Sequence, residues 1–178
     1  QCRFNAMFRK LGPGVVTSHT TTIKAEFRDN DRLGAAACAM GGNVLGMGEH
    51  RLYSESKTGF GFTLPGWRYP IVCEANGSLA FDNYGGSWGN QSDLERLKSE
   101  YVIATAEQAA LHGVTVVQLR APNWKKRQWL ATAKQLKALL APLNVPLIIN
   151  DHIDIALAVD ADGVHVGQQD FPAQEARR

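Results

Sequence analysis

The spacing of apolar and polar residues divides the chain into two parts of different character. Residues 19–27 (HTTTIKAEF) are rich in β-branched side chains and alternate in places, which predicts a strand. Asp29-Asn30-Asp31 suits the start of a short helix running through Met40, and Gly41-Gly42-Asn43 ends it. Residues 43–90 then show aromatic and aliphatic patches broken by Gly and Pro, with predicted strands at 59–64, 69–75 and 78–84. Asn76-Gly77, between the last two, is a strong two-residue hairpin signal. An antiparallel sheet fits this region.

The pattern changes at Ser92-Asp93. Leu94, Leu97, Tyr101, Ala104, Gln108 and Leu111 follow helical spacing, and Gly113 stops that helix near His112. Residues 114–119 (VTVVQL) form a nearly all-apolar strand of the kind covered on both faces. Asn123 is placed to cap a helix over 124–140, with Trp129, Leu130, Ala133, Leu136, Lys137 and Leu140 on its core face and Pro142 ending it. A strand at 145–149, a short helix at 151–159 and a strand at 163–166 follow. From residue 114 the order is β-α-β-α-β with short connections, the signature of parallel βαβ units. The fold class is α/β: an N-terminal α+β domain with a mainly antiparallel sheet, then parallel (β/α) units.

Composition sharpens the division. Of 17 glycines among 178 residues, 14 fall in residues 1–100, so the turn-rich part is the first one. Net charge is +2, which excludes a strongly basic nucleic-acid arm or an acidic tail as the main feature. The aromatic residues Trp67, Tyr69 and Phe81 have no basic cluster beside them and read as sheet-face core, so no nucleic-acid partner is expected. Cys2, Cys38 and Cys73 are odd in number and lack zinc spacing, which points to a reducing compartment. No run of 18 apolar residues exists, so no membrane partner is expected. Residues 1–17 carry Arg3, Arg9 and Lys10, and read as an unstructured extension or a transit-like leader. The expected location is the cytoplasm, with a plastid stroma as the alternative.

In parallel α/β units, functional groups gather at the carboxyl ends of strands. Gln118 and Arg120 close the first strand, Asn150 and Asp151 the second, and Gly167, Gln168 and Asp170 follow the third. Asp151 and Asp170 would hang from neighbouring strand ends, about 4.8 Å apart, where they could share a hard cation. Arg120 offers a planar fork suited to phosphate. Together these suggest a magnesium–pyrophosphate site. Each residue also has a plainer role: Asp151 as a helix cap, Arg120 as a surface charge, Asp170 as a turn residue and His165 as a hydrogen-bonded core histidine. His152 is expected in solvent.

The stretches GVTVVQLR at 113–120, VPLIIND at 145–151, DIALA at 154–158 and ADGVHVGQ at 161–168, with Asp170, resemble thiamine-phosphate synthase. That resemblance implies a (β/α)₈ barrel and a coupling of a hydroxymethylpyrimidine diphosphate to a thiazole phosphate, with release of pyrophosphate. It implies that Gln118, Arg120 and Asn150 contact the diphosphate, and that Asp151 and Asp170 hold Mg2+. No residue is assigned a certain catalytic role. Two departures stand out. Pro122 occupies the position of a family lysine, and the matched part corresponds to three barrel strands, an incomplete site with open sheet edges. A second copy or another chain is the expected cover for such an edge.

Residues 18–118 resemble a small uncharacterised family of cyanobacteria and algal plastids, through SHTTTIK at 18–24, the glycine-rich middle, and AALHG at 109–113 with the strand after it. The expected organisation is an extension (1–17), a small α+β domain (18–112) and a truncated barrel segment (113–178), with strand 114–118 shared by both resemblances. DNYGGSWG at 82–89 reads as a glycine-rich turn with Trp88 packed on the core. The alternative function is that of a noncatalytic α+β protein carrying a fused barrel fragment.

Overall fold

The computed structural model describes residues 20–24 and 27–167. Backbone packing divides the chain into two compact units. One is Ala25–Ala104; the other joins the strand Thr20–Lys24 to the chain from Thr105 onward.

The Ala25–Ala104 unit begins with helix α1 (Asn30–Ala39), where the Asp29 carboxylate accepts from the Arg32 N–H at 3.0 Å and caps the free end. Gly41, at φ +81°, follows the helix as the sequence anticipates. The antiparallel sheet has the order β2-β3-β4-β5: β2 (Asn43–Arg51), β3 (Ser56–Thr63), β4 (Ile71–Cys73) and β5 (Leu79–Ala80). A hairpin does form at Asn76-Gly77, but through a three-residue loop (75–77) rather than a two-residue one: the Glu74 N–H donates to the Ser78 carbonyl at 2.9 Å, the Gly77 N–H returns to the Glu74 carbonyl at 2.9 Å, and Gly77 takes φ +83°. The long edge strand β2 has no forerunner among the predicted strands. Gly46 and Gly48 interrupt its apolar pattern, and Val44, Leu45 and Met47 are exposed, so alternation carries no signal there.

The core of this unit gathers Leu33, Ala36 and Ala37 of α1 with Phe60, Phe62, Trp67 and Ile71 of the sheet region, and with Leu94, Leu97 and Tyr101. Trp88 does not join it. Its half-buried ring stacks with Tyr84 at 4.6 Å and lies 4.8 Å from Tyr53 and 5.5 Å from Tyr69. Rings find partners among themselves as readily as in an aliphatic core. Trp67 and Phe81 do pack as sheet-side core, edge to face at 5.6 Å.

Helix α2 (Gln91–Leu111) carries the chain across the boundary between the units. In the second unit, β6 (Val116–Arg120), α3 (Lys126–Leu140), β7 (Leu147–Asn150), α4 (Ile153–Ala158) and β8 (Gly163–His165) give the expected β-α-β-α-β order. The sheet is fully parallel and open, with the order β1-β6-β7-β8, where β1 is Thr20–Lys24. The predicted first strand is thus present, but its partner is β6. A β-branched run declares a strand; its neighbour is set by pairing far away in sequence. Trp129, Ala133, Leu136 and Leu140 form the buried stripe of α3, each large side chain contributing about 1.5–3 kcal/mol. No described helix is long and apolar enough to cross a membrane.

Candidate functional site

Parallel pairing sorts the strand residues into rows. Val117 lies opposite Leu147, and Leu119 opposite Ile149, while Ile149 pairs with Val164. Because side chains alternate, Gln118, Arg120, Ile148, Asn150, Gly163 and His165 take the other face. Asn150 pairs directly with His165, and Arg120 stands one step beyond the Leu119–Ile149 pair. The polar residues of three strands therefore come together at one end of the sheet.

Gln118 and Asn150 are buried, and the Gln118 Nε2–H donates to Asn150 Oδ1 at 2.8 Å. His165 Nδ1 approaches the same oxygen at 3.0 Å. Asn150 Nδ2 donates to Asp151 Oδ2. Gln118, Asn150 and Asp151, three of the residues singled out from sequence, are thus one connected network. His165 adds a fourth member. Its alternation with Val164 and Val166 indicated a hydrogen-bonded histidine, but nothing local named Asn150 as the partner.

Asp151 is exposed and adopts φ +60°. Its backbone N–H donates to the His165 carbonyl at 2.7 Å. It does not cap α4, which begins at Ile153 with His152 in the cap position and no side-chain cap bond. The left-handed turn instead leaves the carboxylate at the strand end. Arg120 is exposed at the end of β6. Gln168 and Asp170 lie outside the described residues. Among the described residues there is no group of three or more His, Cys, Asp or Glu that could hold a metal.

The loop after β6 departs from expectation. Asn123 does not cap α3; the helix starts at Lys126, and Lys125 sits in the cap position without a side-chain bond. A turn in which the Trp124 N–H reaches the Ala121 carbonyl at 3.2 Å takes up Pro122 and Asn123. Lys126 is drawn to α4, with Nζ 2.8 Å from Asp154 Oδ1 and 2.8 Å from His152 Nδ1. His152 is half-buried against Trp129, with ring centroids 4.5 Å apart, and is not the solvated residue anticipated. Burial and then the Lys126 charge lower its pKa, while the hydrogen bond from Lys126 lowers that of Asp154.

With this geometry in place, the family model of thiamine monophosphate synthase matches residues 92–178. The second part of the chain is similar to thiamine-phosphate synthases. The enzyme of that name from Halalkalibacterium halodurans is 55% identical over 75 residues, which cover 42% of this chain and 36% of the relative. That from Alkaliphilus oremlandii is 52% identical over 86 residues, covering 48% and 41%. A solved thiamine phosphate pyrophosphorylase from Pyrococcus furiosus is 33% identical, covers 42% of this chain and 37% of its own, and superposes with a TM-score of 0.41. The chain thus spans about two-fifths of the length of the curated relatives quoted (36% and 41%). The family match starts at Ser92 within α2, upstream of the motif-bearing stretch that begins at Gly113.

Proposed function

We propose that the thiamine-phosphate-synthase-like segment binds the diphosphate of a small phosphorylated substrate together with Mg2+. The observation that carries this reading is the Gln118–Asn150–Asp151 network, which ends in an exposed carboxylate at the sheet end where Arg120 also stands. Magnesium takes one or two protein carboxylates and draws its remaining ligands from phosphate and water, so a pair of carboxylates would suffice. Asp151 and Asp170 would hold the ion. When bound, it would neutralise charge building on a departing diphosphate.

The chain's own residues have separate tasks in this reading. Arg120 presents two parallel N–H groups to phosphate oxygens and fixes the direction of the diphosphate. Asn150 steadies Asp151, and buried Gln118 closes the floor beneath the phosphates. The reaction implied is that of the relatives' family: a carbon–oxygen bond to the diphosphate breaks, and the thiazole nitrogen forms a bond to the pyrimidine methylene. The property proposed for this segment by itself is diphosphate binding. The coupling reaction would need the remaining barrel strands, or a partner chain that covers the sheet edge. The reading is of a cytoplasmic protein with neither nucleic acid nor membrane as partner.

Calorimetric titration of the chain with pyrophosphate in magnesium tests it, using Asp151→Ala and Asp170→Ala. Weakened binding in both variants supports the reading. Unchanged binding, or none in the native chain, would favour a noncatalytic α+β protein with a fused barrel fragment.

A further inference from the structure

Asn150 stands where three side chains meet, and the chemistry of one of them fixes the other two. Its Nδ2 donates to Asp151 Oδ2, and an ionised carboxylate can only accept. Asn150 Oδ1 is therefore the atom turned toward Gln118 Nε2, 2.8 Å away. His165 Nδ1 lies 3.0 Å from that same oxygen. An amide oxygen has no hydrogen to give, so the hydrogen in this contact belongs to Nδ1. Neutral His165 must then be the Nδ1–H tautomer.

We infer that Gln118 and His165 are positioning residues, whose two N–H donors lock the Asn150 amide so that its Nδ2 holds the Asp151 carboxylate in place. With both donors present, the flipped amide would set its oxygen against a carboxylate and its N–H₂ against two donors. Loss of one donor weakens that discrimination, and Asp151 loses its fixed direction. The consequence for cation binding rests on the role of Asp151 in the proposed function; the tautomer does not.

Nitrogen–proton correlation spectra of the ¹⁵N-labelled chain at mildly alkaline pH, where imidazole is neutral, read the tautomer directly. The expected result is a protonated Nδ1 and an unprotonated Nε2 at His165. Pyrophosphate titration in magnesium supplies the second readout. His165→Asn keeps a donor near the Nδ1 position, whereas His165→Phe removes it. Affinity is expected to fall about tenfold in His165→Phe and less than about threefold in His165→Asn, the range for one hydrogen bond. A protonated Nε2 in the native chain, or equal losses in the two variants, would overturn the inference. A native chain that binds no magnesium–pyrophosphate would remove the proposed function, and the nitrogen spectrum would still decide the lock.

Discussion

The side-chain amide of Gln118 donates to Asn150 Oδ1 over 2.8 Å, joining two buried residues 32 positions apart and on neighbouring strands. Gln118→Leu removes the donor but leaves His165 on the same oxygen, so a loss of about 1 kcal/mol is expected. Gln118→Glu places a buried acceptor against an acceptor and should cost more, about 2–3 kcal/mol. Urea unfolding of both variants checks the order. Equal stabilities would speak against the bond.

Asp151 adopts φ +60°, a conformation that glycine takes without strain. Asp151→Gly relieves that backbone but takes the acceptor from the buried Asn150 amide, so the two effects should offset to within about 1 kcal/mol of native stability, while magnesium-dependent pyrophosphate binding is abolished. Thermal unfolding and a binding titration on the same sample would show this opposition. A residue retained only for structure would not lose one property while keeping the other.

Asp162 ties the starts of β7 and β8 to α3: its Oδ2 accepts from Lys137 Nζ at 2.7 Å and from the Leu147 N–H at 2.9 Å. Burial pushes its carboxyl upward, but these hydrogen bonds and the Lys137 charge outweigh burial and hold it below the usual carboxylate range. A depressed carboxyl stabilises the fold fully above its unfolded pKa and loses that contribution as pH falls through the folded value. Acid unfolding followed by circular dichroism should accordingly begin at higher pH in Lys137→Met than in the native chain. The neutral-pH cost of that variant should be about 1 kcal/mol.

Gly59 of β3 leaves no room for a side chain. A Cβ there would lie 2.3 Å from the Cys73 carbonyl oxygen, and backbone cannot swing aside. Gly59→Ala should cost at least about 1–3 kcal/mol. Gly48→Ala, where the nearest atom is a His50 ring carbon at 3.9 Å, should cost less. Chemical denaturation of the two variants compares them.

Where local chemistry decides, the sequence was readable. Asp29 caps α1 because a short carboxylate before a helix can reach a free N–H, and Asn76-Gly77 turns because Gly accepts φ above zero. Gln118, Arg120, Asn150 and Asp151 share one sheet end because βαβ order forces parallel strands to finish together. What was not readable depends on distant pairing. The run at 20–24 could not name β6 as its neighbour, and the glycines of β2 hid an edge strand. His165 looked like an ordinary buried histidine until register set it opposite Asn150. Asn123 had the right chemistry for a cap, but the turn at Ala121–Trp124 moved the helix start beyond it.

The central claim is tested most directly by the pyrophosphate affinity of the native chain with and without magnesium, set beside that of Asp151→Asn. Magnesium is expected to tighten binding by at least about tenfold in the native chain, a difference of about 1.4 kcal/mol. Asp151→Asn is expected to erase that dependence while residual binding to Arg120 persists. Affinity that ignores magnesium, or a magnesium effect that survives in Asp151→Asn, would contradict a diphosphate site built on Asp151.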